Sequence, residues 1–310
     1  IPVDMVIQNV GVNNTASLSF TVSEGDLAAA VDVAQAAANE FDGVTVVQGN
    51  GLSKVSVVGH GMQTHTGVAA EMFQILAGCG INIEMVTTSE IKISVLIQRD
   101  SCDAAVQAVH KGFGLDTSEP PKPSVGVSAT NSTGAVSRTV PADEEIVERL
   151  SGMEDIVVSD VASAADQARV TITGLPNDPG VAAHVFSAVA DGGILVDMII
   201  QNASDTGAAS ISFTVPATDA ERTTTLLKDA LSGTSTVEIT CEPLVGKLTV
   251  SGIGLRSHTD VGARVFRILA QEQINVQLIN TSEIKLSILV TPDESQRASG
   301  ALLSEFRISR

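Results

Sequence analysis

Asn177-Asp178-Pro179-Gly180 stands between a strand-like segment and a helix-like one, where chemistry is available without any catalytic side chain. The free N–H groups of a helix start and the positive end of its dipole attract a carboxylate. Asp178 offers the opposite charge to an ammonium group. Together they suit a ligand that carries both charges, such as a free amino acid. An ordinary capped turn, punctuated by Pro179 and Gly180, accounts for the same residues. A second loop, Ser257-His258-Thr259-Asp260-Val261-Gly262, holds the equivalent strand-to-helix position, and Thr64-His65-Thr66-Gly67-Val68-Ala69 is its counterpart. Asp260 is matched by Gly67, so an ammonium contact at that point exists in one copy only.

The strands facing these loops carry Asn275, Asn280, Thr281, Ser282 and Glu283, matched by Asn82, Thr87, Thr88, Ser89 and Glu90. A polar knot between apolar strands costs stability unless it is hydrogen-bonded or binds something. A tight Thr–Ser–Glu turn is the plainer account of it. Motifs of catalysis are missing: the chain has no GxSxG, P-loop, HExxH or CxxC. Of the five histidines only His65 and His258 correspond between copies, and neither has partners at metal-ligand spacing. A structural or capping role suits them better, and no catalytic or metal-ligating residue is assigned.

The elements that position these loops come from a duplication. Lys54–Ile97 returns as Lys247–Val290 without a gap, with 21 of 44 residues identical at an offset of 193. IPVDMVIQN (1–9) returns as ILVDMIIQN (194–202), and SLSFTV (17–22) as SISFTV (210–215), at the same offset. ARVTITG (168–174) alternates as a half-buried strand does. LPNDPG then opens a helix at Val181–Asp191, with Val181, Val185, Phe186 and Val189 at helical spacing. Strand 194–202, strand 209–215, a helix over 219–231 and a strand over 236–241 follow, in the order βαββαβ. The order restarts at Lys247 with a strand to Gly252, helix 263–271, strands 274–281 and 284–290, and helix 294–306; Lys54–Phe113 runs likewise. Four-stranded antiparallel sheets with two helices on one face bury this pattern, so the fold class is α+β, ferredoxin-like.

The expected divisions are 1–53, a unit lacking its first strand and helix; 54–116, a unit; 117–145, a flexible linker; 146–167, a connecting helix and strand; and units at 168–246 and 247–310. Residues 117–145 are rich in Pro, Ser, Thr and Gly and bury too little to offset ordering. DIVVSDVA (155–162) reads as an added strand. With nothing before Ile1 to match the strand, loop and helix that precede Ile194, the start of the chain reads as a cut within a longer protein.

The net charge of −18, with no basic cluster, argues against nucleic-acid or anionic-membrane partners. No apolar run approaches a membrane span, and the N-terminus does not read as a signal peptide. Cys79, Cys102 and Cys241 are far apart and unmatched between copies, which suits incidental thiols in a reducing cytosol.

In sequence order the chain carries PxDPGxAAxxF, VDMIxQN, G[IV]G[LM]xSH and TSEIK[LI]S, in LPNDPGVAAHVFSAVADGGILVDMIIQN (175–202) and KLTVSGIGLRSHTDVGARVFRILAQEQINVQLINTSEIKLSILV (247–290). These segments resemble the tandem ACT domains at the C-terminus of aspartate kinase, and the resemblance spans nearly everything but the linker. It implies four ACT units in two pairs that bind lysine, threonine or both at ACT–ACT interfaces. By motif, the effector residues are Asn177, Asp178, Pro179, Gly180, Gln201 and Asn202, with Ser257, His258, Thr259, Asp260, Asn275 and Thr281 in the second unit of the pair. In the first copy only Gln8 and Asn9 remain of the first set.

The family's kinase domain phosphorylates aspartate with ATP and magnesium. Its lysine-rich motif is absent here, so the chain is expected to be inactive alone and to need no cofactor. Homo-oligomers through ACT pairing are a further implication. Two other readings fit the residues: an amino-acid sensor for another enzyme or regulator, and a purely oligomerising array.

Overall fold

The computed structural model describes residues 1–10, 16–59, 65–89, 91–116, 157–203, 208–234, 236–253, 259–282 and 284–308. The proposed linker and the start of the connecting segment lie outside them. The elements in chain order are β1 (Val6–Val10), β2 (Ala16–Phe20), α1 (Leu27–Ala38), β3 (Leu52–Val58), α2 (Val68–Gly78), β4 (Met85–Thr88), β5 (Lys92–Gln98) and α3 (Cys102–Gly112). After the linker come β6 (Val157–Pro176), α4 (Val181–Asp191), β7 (Ile199–Ala203), β8 (Ala208–Pro216), α5 (Ala220–Ala230), β9 (Glu238–Ile253), α6 (Thr259–Gln271), β10 (Leu278–Thr281), β11 (Lys285–Val290) and α7 (Ser295–Glu305). This is the expected α+β class of antiparallel sheet and helices.

The eleven strands of the described residues join one sheet in the order β2-β1-β10-β11-β9-β6-β8-β7-β4-β5-β3. Two expected strand pairs are fused. The added strand and 168–174 form the single β6, and 236–241 and 247–252 form the single β9. The fused strands pair with each other through register shifts at Val158/Asp160, Ala164/Gln167 and Gln167/Arg169. Such bulges bend a strand and let it pass from one packed layer to another. The first half of β6 thereby lies beside 247–253, where the last unit shows no fourth strand among the described residues, and the second half belongs to the unit that continues through α4.

Bending places the sheet's bare face against itself. Alternation along the strands shows the division: Val6 and Ile279 face one helix layer, while Ile7 and Leu278 face inward; Ile199 and Val86 face the other helix layer, while Ile200 and Met85 face inward. The inward cluster consists of repeat-related pairs, Met5 with Met198, Ile7 with Ile200, Leu52 with Val245, Met85 with Leu278, and Leu96 with Leu289. Each fully buried side chain of this type contributes roughly 1.5–3 kcal/mol. Strands covered on both sides lose the polar alternation of half-buried ones, which is why β5 is buried from Ile93 through Ile97.

Two seams close the sheet between copies. β1 pairs with β10, Ile7 opposite Asn280 and Asn9 opposite Leu278. β7 pairs with β4, Gln201 opposite Val86 and Asn202 opposite Met85. Shifted by 193, these are the same register. The first unit, through β1, therefore pairs with the last unit, and the unit after the linker pairs with 54–113. A strand over 45–48, the counterpart of 238–241, does not form. In the second copy those residues pair with Val170–Thr173, and among the described residues the first copy has no equivalent strand. Correspondingly Leu18 and Phe20 on the end strand β2 are 58% and 39% exposed, whereas Ile211 and Phe213 are 1% and 0%.

Candidate functional site

Gly180 and Gly67 each cap a helix N-terminus with a positive φ, 96° and 100°. Only glycine takes that conformation without strain. The two caps are reciprocal: a Cβ on Gly180 would lie 3.6 Å from that of Ala77, and one on Gly67 would lie 3.7 Å from that of Ala190. Helices α2 and α4 thus lie alongside each other with each start facing the other's end. Gln74 Nε2 donates to Ser187 Oγ between them at 2.8 Å. Beneath, Phe186 lies between Phe73 and Phe213, with ring centroids 5.4 and 5.3 Å away.

The Asn177–Gly180 loop sits at one end of this arrangement. Asp178 and Pro179 are exposed and Asn177 is half-buried. Asn82, from the partner unit, donates through Nδ2 to the Asn177 side-chain oxygen at 3.1 Å and to its carbonyl at 3.3 Å. Gln201 is 5% exposed and donates to the carbonyl of Ile83 at 2.9 Å. Consecutive residues 82 and 83 therefore bring Asn177 and Gln201 together across the β7–β4 seam. Gln201 Oε1 is buried without a protein partner, which costs free energy unless another donor supplies it. In the other seam Gln8 makes the matching bond to Val276 O at 2.9 Å, beside the exposed Asn275. The Asn202 side chain lies outside the described atoms.

The opposite end holds the first-copy counterpart of the second loop. His65, Thr66 and Gly67 line a cavity of about 50 Å³ with Thr88, Asp197 and Ile199. That is room for a few ordered waters. In the last unit, Ser257 and His258 and the side chains of Thr259 and Asp260 lie outside the description. Thr281 is described, and it faces the first copy: its hydroxyl accepts from Val6 N at 3.0 Å and donates to Asp4 O at 3.4 Å.

The expected polar knot is extensively hydrogen-bonded. Thr88 Oγ1 donates to Asp197 O at 3.0 Å and accepts from Ile199 N at 2.9 Å. Asn280 Nδ2 donates to Thr88 O at 2.6 Å. Ser282 Oγ accepts from Lys285 N at 3.0 Å. Ion pairs repeat as well, Asp4 with Lys54 and Asp197 with Lys247. Sequence reasoning did not single out this conserved-by-repeat Asp–Lys pair or the seam partner Ile83; the recurrence of VDM and of the Lys opening each repeat was the available signal.

Among the described residues no group of three or more His, Cys, Asp or Glu could hold a metal. No helix there is long and apolar enough to cross a membrane. His184 bonds the carbonyl of Ala230 at 2.9 Å, a structural contact between α4 and α5. Burial pushes the Cys241 thiol above its ordinary pKa.

Known proteins resemble this chain in sequence and in fold. The sequence profile of the ACT domain family matches residues 55–113, 170–231 and 248–306, more than half of the chain. The chain is similar to the aspartokinase of Corynebacterium efficiens, 37% identical over 158 residues, covering 50% of this chain and 38% of that protein. It is also similar to the aspartate kinase of Pseudomonas fluorescens, 33% identical over 169 residues, 54% of this chain and 40% of that one. Among solved structures, aspartate kinase from Synechocystis superposes with a TM-score of 0.82 and 31% identity, over 99% of this chain and 50% of that one. The chain thus spans half or less of the length of these relatives. It belongs to the ACT domain family, in the form of the regulatory region that aspartate kinases carry.

Proposed function

We propose that the chain is the allosteric region of an aspartate kinase and binds a free amino acid, lysine or threonine or both, at its ACT–ACT seams. The observation that carries this reading is the meeting of Asn177 and Gln201 on Asn82–Ile83, with an unpartnered Gln201 oxygen buried there. The effector carboxylate would take the start of α4, and Asp178 the ammonium. Binding that favours one arrangement of the seam over another would bias the kinase between active and inactive states.

On this reading residues 1–53 contribute a fourth ACT unit, with the remaining boundaries as expected from the sequence. ATP and magnesium belong to a kinase domain, and phosphorylation of aspartate to the whole enzyme, in the cytoplasm. Both inner seams are closed within one chain, so homo-oligomers would use other surfaces, such as the end strands β2 and β3. Calorimetric titration of the chain with lysine, threonine and methionine tests the proposal. Saturable heat from lysine or threonine is expected. No heat from any of the three at millimolar ligand would leave a purely architectural role.

A further inference from the structure

Asn280 lies in the β1–β10 seam, opposite Ile7, yet its amide bonds the other seam. It is 3% exposed, and its Nδ2 donates to the carbonyl of Thr88 at 2.6 Å. Thr88 clamps the β7–β4 seam through its hydroxyl, held by Ile199 N and Asp197 O. The residue after Asn280, Thr281, clamps the β1–β10 seam in the same way through Val6 N and Asp4 O. One side chain therefore connects two hydroxyl clamps that belong to different pairs of units. At the repeat position of Asn280 stands Thr87, which has no amide to reciprocate. Asn280 Oδ1 is also buried without a partner. An unsatisfied buried acceptor is a standing cost. The cross-seam bond is what asparagine supplies in return.

We propose that Asn280 is a positioning residue that couples the two seams, so that a displacement of Thr88 against Asp197 is transmitted to the Thr281–Val6 clamp. Coupling of this kind is reciprocal and runs through discrete packed contacts. The inference rests on the effector reading only for its physiological use; the coupling is a property of the ligand-free chain and is tested there.

The readouts are the amide exchange rates of Val6 and Ile199, measured by NMR relative to amides of α7 to remove any global destabilisation. Thr88→Val is expected to speed exchange at Ile199 and also at Val6, the latter by at least about twofold, the lower end of coupling between contacting residues. In an Asn280→Thr background the same change should still expose Ile199 but leave Val6 unchanged. Thr281→Val, read at Ile199, is the converse experiment and serves if Thr88→Val does not fold. Insensitivity of the distant amide with Asn280 present, or equal sensitivity in Asn280→Thr, would overturn the proposal. Absence of lysine or threonine binding would overturn the effector reading and leave this result standing.

Discussion

Thr88 and Asp197 are joined across the β7–β4 seam, the Thr88 hydroxyl donating to the Asp197 carbonyl at 3.0 Å while accepting from Ile199 N at 2.9 Å. One side chain thus satisfies two backbone groups just where the regular ladder stops. Thr281 does the same for Asp4 and Val6. Each copy therefore brings a VDM segment and a threonine that clasp the partner's, and the seam is specified by side-chain chemistry as well as by strand pairing.

Thr88→Val keeps the shape of the side chain and removes this clasp. The Ile199 N–H is then left buried without its acceptor, a loss of about 1–3 kcal/mol. Urea unfolding should show it as a lower midpoint, and Thr88→Ser should recover most of the difference. An unchanged midpoint would mean that the strand ladder alone holds the seam.

Phe186 fills the space between Phe73 and Phe213 at the α2–α4 contact. Phe186→Ala should destabilise the chain by about 3–5 kcal/mol, as large-to-small changes at buried aromatics do. Thermal or urea unfolding measures it. A loss below about 1 kcal/mol would argue that the two units do not share this core.

Gly180 holds φ at 96° where the Asn177–Gly180 loop meets α4. Gly180→Ala introduces a side chain into the left-handed region and should cost roughly 1–2 kcal/mol. The nearest atom is in ordinary contact at 3.6 Å, so the loss measured by unfolding should come from backbone strain rather than a clash.

Cys79 is exposed, whereas Cys102 and Cys241 are half-buried. The thiolate is the reactive form, and burial raises the Cys241 pKa, so less of it is ionised at any pH below that value. Timed thiol labelling at pH 8 should modify Cys79 first and Cys241 last. Early labelling of Cys241 would contradict its half-buried position on β9.

Much of this architecture was legible in the sequence, for identifiable reasons. Helix α4 runs from Val181 to Asp191 as its spacing predicts, because Gly180 starts it and Gly192–Gly193 end it. The repeat offset of 193 reappears in the inward cluster, whose Met, Ile, Leu and Val residues pair at that spacing, but that these faces pack together was not legible. The continuity of β9 was not legible. Glu242-Pro243 reads as a break, because proline cannot donate to a ladder; the proline is accommodated where β6 shifts register between Gln167 and Arg169. Nor could the sequence show that Asn82 meets Asn177. They lie 95 residues apart, on units whose pairing depends on which strands form seams. Strand β7 begins only at Ile199 because Asp197 and Met198 bond Thr214 outside the regular ladder.

Amide chemical-shift mapping with lysine and threonine, on the wild-type chain and on Asp178→Ala, tests the proposal that the seam beside Asp178 takes an amino-acid effector. Saturable shifts should concentrate at Asn177–His184, Asn82–Met85 and Gln201. Asp178→Ala should weaken the apparent affinity about tenfold or more, the worth of a charged hydrogen bond, while stability stays within about 0.5 kcal/mol because Asp178 is exposed. Shifts confined to other regions, or an affinity unchanged by Asp178→Ala, would contradict it.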